Sequence, residues 1–590
     1  MNEDLHIRVA RGLRARSNRA GALVLAGLLA LAVAGCGEGP PPPPAQVSAS
    51  ADGALRVPNA AVSSADEISS RVGVEVLRAG GNAVDAAIAV GFALAVTHPT
   101  AGNIGGGGFM VIRTPDGVAT TIDFREKAPL AAHPEMFLDE EGEFSSTIRH
   151  RSHVSVGVPG TVAGFDLAHR SYGSADWADL VRPAVELARD GFEVMPGLAR
   201  SLAGVLGSME PYPASIQAFS KDGVPYEAGE LWRQPDLAAS LERIMNEGRD
   251  GFYRGETARL IVEEMERGGG LITAEDLERY QAVEREPIRG SFLGYDIVSM
   301  GPPSSGGIAI VQMLNILQEY DLEGMGHNSA AYIHHLAEAM RRAYRDRAVH
   351  VADMDFHDVP IERLTSREHA AELREGIDPE RAGVSSVEDV HIGFESKETT
   401  HYSVVDADGM AVSVTYTLEQ GYGSRITVTG GGFLLNNEMG DFNAAPGMTT
   451  TGGLIGTEPN LARPEQRMLS SMSPSIVSYD GELVAVVGTP GGRTIINTVL
   501  QVILNRVAFG MSPDEAIRAP RIHHQWLPDQ LGLERALEGT GVAEALEAMG
   551  HRVSFRGNQG TAHSIFIDPE TGEVVGVADP RGSDAAAVGY

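Results

Sequence analysis

The stretch that most limits how this chain can fold is GGNAVDAAIAVGFALAVTHP, Gly80 to Pro99. From Asn82 to Val96 it reads as one helix, with Asn82 able to cap it and Asp85 favouring its first turn. A surface helix needs a polar face, and this one has none, so it has to be covered on all sides. That demands stacked layers. With 590 residues the chain is too long for one small core, and it must form several domains or one large layered unit.

The strand signals agree. Phe109 to Arg113 and Ala119 to Phe124 flank Pro115-Asp116-Gly117 and predict a hairpin. Thr161 to about Gly294 is mainly helical, and so is Ala330 to Ala348. A polar run from Pro379 to Glu398 follows. Beyond it come short β-rich runs, HYSVV, AVSVTYTL, SIVSY and LVAVVG, joined by Asp408-Gly409 and Asp480-Gly481. Ile495 to Phe509 returns to helix. Strands bracketed by helices predict stacked sheets with helices on their outer faces. The polar run divides a helix-rich part from a β-rich part.

Charge narrows the partners. With 47 Lys+Arg against 79 Asp+Glu the formal charge is -32, which disfavours nucleic acid and anionic membrane surfaces. The first residues are different: five arginines between Arg8 and Arg19 precede the apolar Gly21 to Ala34, then Val33-Ala34-Gly35-Cys36. This predicts a secretory signal over 1–35, with Cys36, the one cysteine of the chain, lipidated. Pro40 to Pro44 lies in an extended spacer over 36–57. The expected protein is an exported bacterial lipoprotein, periplasmic or at the cell surface, on the outer membrane if the cell has two.

Thr399 and Thr400 stand where the polar run meets a strand. A threonine hydroxyl needs a base. A free α-amine, with an ordinary pKa of about 7.7–8.0, can be that base if Thr399 becomes a first residue. Scission of Glu398–Thr399 by the Thr399 hydroxyl itself creates the amine, and the following strand is expected to present Thr399 at a sheet edge. Gly491 and Gly492 precede a helix, where backbone N–H groups can face an oxyanion. The fork of Arg125 suits a carboxylate. Glu438 and Asp441 suit an ammonium. Together they fit an α-amino-acid zwitterion.

With these residues the chain strongly resembles the γ-glutamyltranspeptidase family of N-terminal nucleophile hydrolases. The resemblance runs from about Pro58 to Tyr590 through GGNAVDAA, GGGGFMV, DFREKAP, SVGVPGTVAGF, GPPSSGG, ETTHYSVVD, VTYTL, LLNNEM, LSSMSP, TPGG and DPR. It implies an α+β fold, a four-layer αββα sandwich, cut into a large subunit (58–398) and a small one (399–590) that pair as a heterodimer. It implies Thr399 as nucleophile, Thr417 as its hydrogen-bond partner, and Gly491 and Gly492 as oxyanion hole. Arg125, Ser470 and Ser471 are then the grip on the substrate α-carboxylate, and Glu438 and Asp441 the grip on its ammonium. Glu419 stands where some members carry Asn beside the ammonium, and a carboxylate there still suits a cation. The implied substrates are glutathione and other γ-glutamyl compounds, with water or amino acids and peptides as acceptors, and no cofactor. The stretch PGMTTTGGLIGT, 446–457, lacks the aromatic residue that some members carry in a lid, a looser cover that lets hydrolysis compete with transfer and leaves the acceptor open.

Other chemistry has less support. Gly105 to Gly108 precedes a strand rather than a helix, so it is no phosphate cradle. His334-His335 and His523-His524 come without HExxH or a cysteine ligand, and no metal is expected. There is no G-x-S-x-G elbow. The rivals are an acylase of the same fold, acting on cephalosporins or γ-glutamyl polymers, and a non-catalytic surface lipoprotein.

Overall fold

The computed structural model describes residues 45–49, 53–386, 399–448 and 457–590. Cys36, Pro40 to Pro44, Glu398 and most of the 446–457 stretch lie outside these residues.

Two antiparallel sheets stack face to face. The first has eight strands, in the order Gln46–Ala49, Ala586–Gly589, Ala61–Ser64, Thr400–Val405, Ala411–Thr417, Gly107–Arg113, Ala119–Phe124 and Val283–Arg285. The second has seven: Leu55–Val57, Val574–Val577, Ser564–Ile567, Glu482–Val487, Ser475–Tyr479, Tyr295–Ser299 and Ile288–Phe292. Three apolar clusters fill the spaces between layers. One packs Val62, Met110, Val404 and Val414 of the first sheet against outer helices. One joins the sheets through Val111, Val405, Ala411, Val298, Ile476 and Val486. The third packs Ile297, Val477 and Val487 against helices Gly306–Leu317, Ala330–His350 and Thr494–Val507. This is the expected αββα order.

The apolar helix is Ala83–Thr97, and every residue in it is buried. Asn82 accepts from the backbone N–H of Val84 and Asp85, while Asp85 accepts from that of Asn82, a closed capping box. Its neighbours are Glu67–Arg78 on one flank and Trp177–Asp190 on another, with the strands Thr400–Val405 and Ala411–Thr417 beneath. Period-2 alternation sorts the Thr400 strand: Tyr402 and Val404 join the helix-facing core, and Val405 the inter-sheet core. The buried His401 also belongs to this strand, within 2.9 Å of Thr415 Oγ1 and 3.1 Å of Ser403 Oγ.

The change of texture at residue 399 is no boundary between folded bodies. Both sheets interleave strands from before and after it. Ala586–Gly589, at the end of the chain, lies between Gln46–Ala49 and Ala61–Ser64. The strands Gln46–Ala49 and Leu55–Val57 fall within the stretch read as spacer, and they pair into the first and second sheets respectively.

Candidate active site

Thr399 sits at the start of the Thr400–Val405 strand. That strand is central in its sheet, not at an edge as the sequence suggested. What opens is its end: of this strand Ala61–Ser64 pairs only with Ser403–Val405, so among the described residues the first positions have no strand on that side. On the other side Thr400 pairs with Tyr416, and the same register brings Thr399 alongside Thr417. Thr417 Oγ1 accepts from the N–H of Glu419 (2.9 Å), which turns its hydroxyl proton toward another acceptor. Glu419 takes a left-handed φ of 80°, a strained conformation for a residue with a side chain.

The glycine run ahead of the Gly107–Arg113 strand has a steric role here. A Cβ on Gly106 would lie 2.0 Å from the carbonyl oxygen of Thr417. Only glycine lets the loop press this closely on the end of the strand. Gly491 and Gly492, with φ of 133° and 55°, form the turn into helix Thr494–Val507. Its N-terminal dipole favours negative charge at the cleft.

One narrow cleft, about 20 Å³ in volume, is lined by Thr399, Thr417, Glu419, Gly492, Arg125, Glu438, Asp441, Ser470 and Ser471. Thr399 is only 9% exposed, so it is reached through this cleft. Of the predicted site residues on described positions, only Gly491 does not line it, and it adjoins Gly492. A much larger cavity, about 740 Å³, lies at the opposite end of the Thr400 strand beside Val405 and Asp406. Its lining brings in none of the predicted site residues, so size does not mark the site here.

The charges are not arranged as the sequence suggested. Arg125 does not face Glu438 and Asp441 across a gap; it pairs with both, one arm to each. Buried opposite charges lower their energy by direct contact. Burial pulls the Arg125 guanidinium down, but Glu438, Asp441 and Glu126 more than offset this and hold it above its ordinary value. Burial pushes Glu438 well above the usual carboxylate range, and it raises Glu419 too. Among the described residues, both oxygens of Glu419, Oε2 of Glu438 and Oδ1 of Asp441 are buried without a hydrogen-bond partner. Such an acceptor-rich corner suits a multi-donor cation.

The serine pair is clamped by the GPPSSGG stretch. Ser470 N–H donates to Pro303 O (3.0 Å), and Ser305 donates to Ser470 O from its N–H (2.9 Å) and its hydroxyl (2.7 Å).

Three neighbours escaped the sequence reading. Glu126 follows Arg125 directly and is fully buried, and its place inside DFREKAP was the available signal. His150 Nδ1 lies 3.5 Å from Glu419 Oε2, and nothing local marked it. Arg347 reaches the serine pair from helix Ala330–His350, where it read as one more arginine in a charged helix.

The histidine pairs are hydrogen-bonded within the fold. His334, Glu338 and His551 place ligand atoms within 4.8 Å of one another. Each already has partners: His334 lies 2.8 Å from both His551 and the Asp378 carbonyl, and Glu338 accepts from Arg341, Arg342 and Gly383. His523 lies 2.7 Å from Asn497 Nδ2.

A threonine leading a central strand, beside a glycine turn in an αββα sandwich, defines the N-terminal nucleophile hydrolase fold. The family model for gamma-glutamyltranspeptidase matches residues 69–589. The chain is 47% identical over 541 residues to the glutathione hydrolase proenzyme of Escherichia coli K12, covering 91% of this chain and 93% of that protein. Among solved structures, a cephalosporin acylase from Bacillus halodurans superposes with a TM-score of 0.80 at 26% identity, covering 91% of this chain and 97% of the other. A chain of Helicobacter pylori gamma-glutamyltranspeptidase gives 0.53 at 43% identity, covering 54% and 91%. The chain belongs to the γ-glutamyltranspeptidase family.

Proposed function

We propose that this protein is a self-processing γ-glutamyltransferase that hydrolyses glutathione and related γ-glutamyl compounds, or passes the γ-glutamyl group to amino acids and peptides. In processing, Thr399 Oγ attacks the Glu398 carbonyl. The Glu398–Thr399 C–N bond breaks, an ester forms, and the nitrogen takes the hydroxyl proton. Water then cleaves the ester, leaving a carboxylate on Glu398 and a free amine on Thr399. The products are a large subunit ending at 398 and a small one over 399–590. Their interleaved strands hold them together as a heterodimer.

In turnover that amine takes the proton of Thr399 Oγ as the oxygen attacks the γ-glutamyl carbonyl. The N–H groups of Gly491 and Gly492 receive the oxyanion, and Thr417 orients the nucleophile. The proton passes to the leaving amine as the C–N bond breaks. Water or an acceptor amine resolves the γ-glutamyl-Thr399 ester. Arg125, Ser470 and Ser471 hold the α-carboxylate, while Glu419, Glu438 and Asp441 hold the α-ammonium. Binding exchanges the internal Arg125 pairs for pairs with the zwitterion, so charge stays balanced.

The observation that carries the substrate is the set of partnerless carboxylate oxygens beside Thr399. A glutaryl group, the acyl group of the rival acylase reading, has no ammonium to offer them. Leaving a charged hydrogen bond unmade costs about 1.5–3 kcal/mol. The ratio of kcat/KM for γ-glutamyl over glutaryl anilide should therefore be about 10–100 or more, and a ratio near or below one would defeat this reading. A denaturing gel should resolve the two subunits, with one band for Thr399→Ala. An uncut, fully active wild type would contradict the mechanism.

We propose further that residues 1–35 direct export and that Cys36 carries the lipid anchor, on the support of the arginine-rich start and the Val33-Ala34-Gly35-Cys36 sequence. No helix of the described residues is long and apolar enough to cross a membrane. Labelling with a fatty acid should mark the wild type and not Cys36→Ser, and equal labelling of both would remove the proposal.

A further inference from the structure

We infer that Thr489 and Thr494 are positioning residues: their hydroxyls hold two successive carbonyls, those of Pro490 and Gly491, and so aim the N–H groups of Gly491 and Gly492. The inference rests on the oxyanion role given to this glycine pair above.

In a planar trans peptide the C=O and the N–H point in opposite directions, so holding one aims the other. The Pro490–Gly491 and Gly491–Gly492 peptides are both trans. The carbonyl of Gly491 accepts from Thr494 twice, from its Oγ1 (2.8 Å) and from its N–H (3.1 Å). It is thereby drawn toward the start of helix Thr494–Val507. The N–H of Gly492, across the same peptide, is directed away from that start, and Gly492 lines the cleft beside Thr399. One residue earlier the carbonyl of Pro490 accepts from Thr489 Oγ1 (2.9 Å), which turns the N–H of Gly491 away from Thr489. The Thr489 hydroxyl is itself held from a remote loop, because it accepts from the N–H of Thr561 (3.0 Å). A carbonyl only accepts and a backbone N–H only donates, so each of these directions is forced.

The glycine pair needs such a hold. Glycine adopts the positive φ of this turn without strain, but it has many other conformations at similar energy. Both threonines are buried, which keeps water from competing for the two carbonyls. Gly560 makes room for the remote loop: a Cβ there would collide with Thr489 Oγ1. A Cβ on Gly491 would collide with Thr494 Oγ1, so the hydroxyl occupies the space of the missing side chain. Neither N–H of the glycine pair has an acceptor among the described residues. Donors aimed in advance need no reorganisation when negative charge develops on the carbonyl oxygen under attack.

The test measures hydrolysis of γ-glutamyl-4-nitroanilide, with rates expressed per small subunit released on a denaturing gel. Thr494→Val and Thr489→Val keep the side-chain shape and remove the hydroxyl. Each should lower kcat about tenfold, less than the roughly 10²–10³ of a lost oxyanion donor, because the N–H is misaimed rather than removed. The Ki of L-glutamate, which develops no oxyanion, should stay within about twofold. Thr494→Ser and Thr489→Ser restore the hydroxyl and should return kcat to within about threefold of wild type. Where a Val form does not fold, Ala at the same position replaces it with the same expectation. Gly492→Ala is run alongside. If Gly492→Ala keeps the wild-type kcat, the oxyanion reading falls and this inference with it. Should Gly492→Ala be impaired while the Val forms are not, the positioning role alone is overturned. Serine forms no better than the Val forms, or glutamate binding that weakens in step with kcat, would overturn it too.

Discussion

Among the described residues, Arg125 is the one cation that touches Glu438, Asp441 and Glu126 together, and Arg125→Met removes it. Arg125 is 1% exposed and Glu438 equally so. Breaking a buried pair this way costs about 3–5 kcal/mol, because the remaining charge is stranded. With roughly 500 folded residues, unfolding entropy is about 1 kcal/mol/K, so apparent Tm should fall by about 4 °C at pH 8.5. The loss should depend on pH in a fixed direction. Glu438 already sits above its ordinary value through burial, and removing Arg125 raises it further. In the variant the folded state therefore holds protons that the unfolded state releases, and stability falls as pH rises. At pH 5 the stranded carboxylate is protonated and the variant should approach wild type. The second variant is Arg125→Met/Glu438→Gln, which should regain part of the loss at pH 8.5. The assay is the apparent Tm from pH 5 to 8.5 at one scan rate on the processed protein. A deficit that is the same at both ends of that range, or no recovery in the double variant, would refute the electrostatic account.

Three further outcomes are expected. Glu126→Gln should flatten the pH dependence of stability. Burial pushes Glu126 from 4.5 up to about 8, against the opposing pull of Arg125 3.7 Å away and with Asp441 and Asp123 adding to the rise. Wild-type stability should then fall as pH rises through that window, while the Gln variant does not, and identical Tm profiles would count against it. Gly492→Ala places a side chain at a φ of 55° and should lower kcat by about 10²–10³ with little change in KM; a KM effect alone would assign this turn to binding. Asn82→Ala opens the capping box of the buried helix and should cost about 1 kcal/mol of stability with unchanged kcat, a point checked by urea unfolding beside steady-state assays.

Local signals in the sequence were sufficient for the elements that carry the site. The Asn82 cap and the unbroken apolar run place helix Ala83–Thr97 within a residue of its reading. Alternation places the strand after Thr399, and the positive-φ turn at Gly491-Gly492 coincides with the quoted glycine pair. Family motifs pointed to Thr399, Arg125, Glu438 and Asp441, which the fold brings to one cleft. Pairing was not legible. Nothing near Ala586 announces that it will hydrogen-bond between strands more than 500 residues earlier. The direct contact of Arg125 with Glu438 and Asp441 was equally hidden, since it depends on burial, which no motif records.

What the residues settled alone is therefore periodicity, capping and chemical type, all properties that act over a few positions along the chain. Packing settled which groups meet. Thr399 became the open end of a central strand because its neighbour pairs only from Ser403 onward, and Arg347 met Ser471 because helix Ala330–His350 packs on helix Gly306–Leu317. Those contacts depend on distances between segments remote in sequence, and only the assembled layers fix them.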